Sequence, residues 1–362
     1  MTTVPRPAEG DVVAWFSRWG PEAEEAARPW LEEFDALLHA EAGAIIGQAN
    51  HPLVEEFIAR HMKLLKRAES DCIQQAMMVN GPLRQVLSKY YQAMGARESG
   101  LVRMSRVLPL CIAELVPDLP DQVVVDILRA NAWGYEALRI QDDFLDEPDR
   151  VEPEYILLCG LFYRWCTEIY CQYTKDLSLF FADYQIYHDA MMNAVLVERR
   201  QAWEYTPFRR DDLMRGGERA GLVKLCASTL FRLRGEQRLV PVFERYIDLH
   251  LAARQLLDDM QDFRSDAEER RLSAPISMVW AALAQAGVSP TPSMLFRGLA
   301  LLDVVPRSLE LVRDLTAEGM DCLKAFPDSM LYKLLDARAS QVEVSLTNIN
   351  QFQVRMREAL GL

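Results

Sequence analysis

The sequence predicts an all-α protein, a single helical bundle around a central cavity. Three observations carry this. Apolar residues recur at three- and four-residue spacing along nearly all of the 362 residues. Proline, glycine and asparagine interrupt that pattern at helix-length intervals. Strand signals are nearly absent, and a β-branched run such as Val123-Val124-Val125 lies inside a longer helical pattern. Half of the residues are hydrophobic, enough for one substantial core.

The elements follow in order. Residues 1–20 read as a disordered N-terminal segment ahead of one domain over 21–362. A helical pattern starts at Pro21 and runs to about Leu38. Asn50-His51-Pro52 starts the next helix, with proline in the first turn, and Leu53, Phe57, Ile58, Met62 and Leu65 carry it towards Ile73. Asn80-Gly81-Pro82 breaks the chain before a helix from Leu83 to about Met94. Gly95 and Gly100 bracket a polar joint, and Val102 to Leu115 is apolar at helical spacing. Leu119-Pro120-Asp121 starts a helix that Glu147-Pro148-Asp149 ends. Further helices are expected over 156–175, 177–205 and 218–233, the last preceded by Gly216-Gly217. Gly235 precedes a helix ending near Arg264. The patterns over 274–286, 293–315 and 327–360 complete the chain.

Two of these helices end in related acidic stretches. The first is Arg139-Ile140-Gln141-Asp142-Asp143-Phe144-Leu145-Asp146. The second is Gln255-Leu256-Leu257-Asp258-Asp259-Met260-Gln261-Asp262, continuing to Asp266. On a helix, residues three and four apart share a face, so Asp142 and Asp146 are neighbours with Asp143 beside them. Asp258, Asp262 and Asp266 form a column flanked by Asp259. Like charges at this spacing repel by a few tenths of a kcal/mol per pair, and aspartate is a poor helix former. A helix that accepts this cost twice points to a use for the carboxylates, and hard oxygen ligands suit Mg²⁺.

The net charge of −13 argues against a nucleic-acid partner. It fits a protein that meets a polyanionic substrate through metal. Seven scattered cysteines, none in a C-x-x-C pair, read as reduced core residues of a cytosolic protein. Met1 to Gly10 has neither a basic start nor an apolar stretch, so no signal peptide is expected. No apolar run reaches the ~20 residues of a membrane span.

The paired motifs, 258 − 142 = 116 positions apart, resemble those of the trans-isoprenyl diphosphate synthases and the related class I terpene synthases. The resemblance covers roughly Tyr90 to Ala286 and rests on short motifs. It implies the isoprenoid-synthase bundle, with Asp142, Asp143, Asp146, Asp258, Asp259, Asp262 and Asp266 holding three Mg²⁺ ions, or Mn²⁺ in their place. It further implies an allylic prenyl diphosphate as substrate and allows a homodimer. Gln255 matches the glutamine ahead of the family's second motif, whereas Arg254 stands where that family usually has phenylalanine. Lys224 matches a diphosphate-binding lysine, with Arg219 as a second contact; the other reading of Lys224 is a solvated surface lysine.

The departures bear on the reaction. Chain-elongating synthases carry a G-G-K-R-x-R-P type segment that binds isopentenyl diphosphate. Here Gly95-Ala96-Arg97-Glu98-Ser99-Gly100-Leu101-Val102-Arg103 lacks the Gly-Lys-Arg core and adds Glu98, though Arg103 and Arg106 follow. The Arg-Arg-Gly after the first motif is reduced to Arg150. Terpene synthases usually carry a different second metal motif, and this chain keeps D-D-x-x-D. The expectation is therefore an enzyme that ionises an allylic diphosphate with Asp142, Asp143, Asp258 and Lys224 as its catalytic groups, then cyclises or rearranges the cation. The alternative is capture of the cation by isopentenyl diphosphate or another acceptor. A non-catalytic partner subunit ranks last, because both motifs are kept. Trp133, Phe162, Trp165 and Trp203 are candidates to line the cavity, with core packing as the competing role of each.

Overall fold

The computed structural model describes residues 21–46, 51–94, 100–116, 118–146, 151–200, 203–285 and 287–362. The segment 1–20, the joint at residues 95–99 and Arg150 lie outside it, as do the side chains of Arg103, Arg106 and Asp146. Every regular element among the described residues is a helix. The chain begins with α1 (Pro21–Ile46), α2 (Pro52–Met77), α3 (Pro82–Met94) and α4 (Gly100–Glu114). Then come α5 (Asp121–Asp146), α6 (Tyr155–Gln172), α7 (Leu177–Arg200) and α8 (Arg210–Gly217). A 3₁₀ turn, Glu218–Val223, leads into α9 (Lys224–Leu233), α10 (Val240–Gln261) and α11 (Phe263–Glu269). The last four are α12 (Ala274–Gln285), α13 (Pro292–Leu301), α14 (Val304–Cys322) and α15 (Met330–Ala359). No helix is long and apolar enough to cross a membrane among the described residues.

Local chemistry fixes several starts. The Leu53 N–H donates to the His51 imidazole at 3.2 Å, with Pro52 opening α2. The Met294 N–H donates to Thr291 Oγ1 at 3.3 Å, and the Tyr332 N–H to Ser329 Oγ at 3.2 Å. Each cap satisfies an N–H that the helix itself leaves open.

Several expected boundaries shift; the helix expected over 177–205 ends at Arg200, and residues 203–209 are not helical. The first helix continues past Leu38 to Ile46, because Ala42 and Ile45 bury on the same face as Phe34. Gly216-Gly217 does not interrupt the chain; it completes α8 and runs into the 3₁₀ turn, where Ala220 leaves helical geometry (φ −104°, ψ 21°). The helix expected over 293–315 is two, broken at Leu302 (φ −87°, ψ 164°). The open carbonyls at that break are met from α15. Gln353 Nε2 donates to Ala300 O at 2.9 Å and Leu302 O at 3.0 Å. The Arg357 guanidinium donates to Leu301 O at 2.6 and 3.0 Å and pairs with Asp303 at 2.9 Å. Neither partner is near in sequence, so periodicity alone shows no break.

The apolar side chains gather into two clusters that share α10. Val240, Phe243, Tyr246 and Ile247 belong to the first, with Trp133, Phe162 and Phe231. Leu249, Ala252, Ala253, Leu256, Leu257 and Met260 belong to the second, with Phe34, Val305 and Phe352. Each fully buried leucine or phenylalanine contributes about 1.5–3 kcal/mol. The helix that carries the second acidic stretch is thus held by the core along its whole length.

Candidate active site

Both motif helices are buried on most sides and half-exposed along one stripe. On α10 the stripe includes Asp248, Leu251, Gln255, Asp258 and Asp259, while Leu249, Ala252, Leu256 and Met260 are buried between them. On α5 it includes Tyr135, Glu136, Arg139 and Asp143, with Asp142 exposed at its end. The 3₁₀ turn and the end of α8 lie against α10. A Cβ built on Gly217 would stand 2.8 Å from the Ala252 nitrogen, and one on Gly216 would stand 3.6 Å from Gln255 Cγ. From the same turn Arg219 reaches across, its Nη2 donating to Asp142 Oδ1 at 2.8 Å. One short segment therefore touches both motif helices.

Each leading carboxylate has an arginine on it. Asp142 has Arg219, and Asp258 Oδ2 accepts from Arg254 Nε at 2.9 Å. Asp259 accepts from Gln255 Nε2 at 2.7 Å and from the Ala274 N–H at 3.3 Å. Asp262 sits at the bend between α10 and α11 (φ −88°, ψ 2°). The Asp262 N–H still bonds Asp258 O, and the Asp266 N–H bonds Asp262 O, each at 2.8 Å, so the column survives the bend. Burial and then the charge of Asp258 push the Asp262 carboxyl above its ordinary range. Asp143 is half-exposed beside Asp142.

These donors fit Mg²⁺, which takes one or two carboxylates per ion and completes its shell with water and phosphate oxygens. Asp258 and Asp262 are close enough for the charge of one to raise the pKa of the other. Among the described residues no three His, Cys, Asp or Glu side chains converge as a ready-made cage.

Lys224 is not on the surface. It is 8 % exposed, its Nζ lies 2.5 Å from Asp248 Oδ1, and it stands 5.6 Å from the Tyr187 ring centre. Burial and then Asp248 raise the pKa of the nearby Glu218, against the lowering effect of Lys224 and Arg215. Asp248 could have been read from spacing, since it lies seven residues before Gln255 and eleven before Asp259 on one helix face. Tyr163, whose hydroxyl donates to Gln141 Oε1 at 2.7 Å, carried no such signal.

The aromatic candidates divide. Trp133 stacks on Phe162 (centroids 5.1 Å, planes 18° apart) and meets Trp165 at 4.7 Å; all three are buried. Trp133 Nε1 donates to Gln75 Oε1 at 3.1 Å. Trp203 is half-buried, 5.0 Å from Trp280.

No protein-family model matches the chain, and no curated protein sequence does. Solved structures do match. A decaprenyl diphosphate synthase from Rhodobacter capsulatus superposes with a TM-score of 0.65 at 14% identity, over 82% of this chain and 99% of that one. A polyprenyl synthase from Roseobacter denitrificans gives 0.61 at 14%, over 81% and 98%. A geranylgeranyl pyrophosphate synthase from Lactobacillus brevis gives 0.61 at 13%, over 82% and 98%. The chain therefore has the all-α isoprenoid-synthase fold and resembles trans-prenyl diphosphate synthases in architecture.

Proposed function

We propose that the protein is a metal-dependent enzyme that ionises an allylic prenyl diphosphate and transfers the cation to an acceptor. The observation that carries this is the Arg219 turn, which packs on α10 and lays its guanidinium on Asp142 of α5. A diphosphate held between the two motifs would meet that guanidinium directly. The three solved structures described above are named as prenyl or polyprenyl synthases, which favours transfer over cyclisation.

Asp142, Asp143 and Asp146 on one side, and Asp258, Asp259, Asp262 and Asp266 on the other, would hold Mg²⁺. Bound there, the ion supplies neutralisation of the charge growing on the leaving diphosphate. Arg219 adds charge-assisted hydrogen bonds to the same oxygens, with Gln255 and Arg150 as further contacts. Lys224 would add positive charge, partly offset by Asp248. An apolar interior would keep water from the cation. The mutual stacking of Trp133, Phe162 and Trp165 favours core packing for these three, and Trp203 stays a candidate face for the cation.

A second reading, cyclisation or rearrangement within one substrate, is favoured by the sequence from Gly95 to Arg103. Glu98 and the missing Lys-Arg pair weaken the cradle that a second diphosphate needs.

The test incubates the protein with allylic diphosphates of ten, fifteen, twenty and twenty-five carbons, with and without isopentenyl diphosphate, in Mg²⁺ or in excess chelator. Metal-dependent pyrophosphate release is expected. A longer prenyl diphosphate as product establishes chain elongation. A hydrocarbon or alcohol formed regardless of isopentenyl diphosphate establishes cyclisation. Release of no pyrophosphate from any substrate, or full turnover in chelator, refutes the proposal.

A further inference from the structure

The second motif carries a feature that the reaction does not require. Arg254 lies one turn before Asp258 on the same helix, with Nε 2.9 Å from Oδ2. Both side chains are partly open, 23% and 32% exposed, so the pair is not locked in the core. We propose that Arg254 is a resident counter-ion that competes with divalent metal for Asp258, so that the second motif loads metal only when a diphosphate is present. The inference rests on the motif being a metal site, as the functional reading holds.

Four observations support it. The contact is local to one helix, so it forms with α10 and needs no closure. The guanidinium has little reason to retract, because a second guanidinium lies near it. Arg338 of α15 is 4% exposed, and its pKa is brought down to about 10 by burial, partly countered by Tyr246 and reinforced by Arg254. The neighbouring carboxylate is also engaged, since Asp259 already accepts from Gln255 and the Ala274 N–H. Finally, no three acidic side chains converge among the described residues, so the motif offers a metal no ready-made cage.

The consequence is conditional loading. Metal alone must displace the guanidinium and gains at most a pair of carboxylates. With a diphosphate present, its oxygens complete the metal shell and accept the displaced guanidinium, so charge is conserved on both sides of the exchange. Arg219 holds Asp142 in a similar way but from a separate segment.

The experiment titrates Mn²⁺ into the full-length protein and counts bound ions by electron paramagnetic resonance, with and without inorganic pyrophosphate. The wild type is expected to leave the second motif empty until pyrophosphate is added. Arg254→Leu is expected to gain a pyrophosphate-independent site, tighter on the order of tenfold, that Asp258→Asn in the same chain removes again. Arg254→Lys, which keeps the charge, should behave as the wild type. Asp258→Asn alone should leave pyrophosphate-free binding unchanged, which keeps the test decisive if Arg254→Leu folds poorly. Equal Mn²⁺ binding by the wild type and Arg254→Leu without pyrophosphate overturns the inference. So does a loss of pyrophosphate-free binding in Asp258→Asn. Metal exchange as described, in a protein that ionises no allylic diphosphate, leaves the inference standing and defeats the proposed reaction instead.

Discussion

Replacing Gly217 by alanine tests how the site is held together. Gly217 has ordinary helical angles (φ −61°, ψ −25°), so its conformation does not need glycine. The space does. The new Cβ would lie 2.8 Å from the Ala252 nitrogen, 3.1 Å from the Leu251 carbonyl carbon and 3.2 Å from the Ala252 Cα. These are backbone atoms of a helix buried along its length, and no rotamer change relieves them. Overpacking of this kind costs about 1–3 kcal/mol, and rigid surroundings put Gly217 at the upper end. Alanine returns about 1 kcal/mol of helix propensity. The expected net loss is about 2 kcal/mol, roughly thirtyfold in the folding equilibrium. Gly216→Ala is the internal control: its Cβ would meet only Gln255 Cγ at 3.6 Å, so it should be neutral or stabilising by up to about 1 kcal/mol. Urea denaturation of both variants measures the difference. Because the displaced segment carries Arg219, pyrophosphate release should fall in Gly217→Ala well below what the unfolded fraction explains. Equal stability of the two variants would refute the close approach.

Asp142→Ala and Asp258→Ala should each nearly abolish turnover while moving stability by less than about 1 kcal/mol, since both ion pairs are partly exposed. Thermal denaturation beside an activity assay decides, and a destabilised variant with normal turnover would mark the residue as structural. His250 gives a pH signature. Its folded pKa lies below the unfolded value, because burial and then Arg338 and Arg254 disfavour the imidazolium. The unfolded chain therefore binds the extra proton, and stability is lost as pH falls below the unfolded pKa of about 6.5, at up to about 1.4 kcal/mol per pH unit. His250→Gln should flatten that loss between roughly pH 6.5 and 5, which denaturation at several pH values will show.

The helical class was legible because periodicity survives in every long element, and the Asp stretches stood out because like charges at three- and four-residue spacing repel. The Arg254–Asp258 pair could have been read from a spacing of four, but the sequence showed Arg254 only as a departure from the usual phenylalanine. What stayed hidden depended on partners distant in sequence. The carboxylate on Lys224 comes from another helix, and so does the hydroxyl on Gln141. The chain break at Leu302 looks like continuous helix until Gln353 and Arg357 arrive from α15 to satisfy it. Trp133, Phe162 and Trp165 were legible as large apolar groups, but their mutual stacking is a property of α5 against α6.

The sharing of α10 between the two apolar clusters also shapes how the molecule comes apart. A chain with two separate cores can lose one and keep the other, and would melt in two stages. Here either cluster can dissolve only by stripping one end of a helix whose other end the second cluster still needs. Partial unfolding therefore has no stable stopping place along α10, and the two halves are tied into one cooperative unit. The acidic stretch at the end of that helix inherits this property.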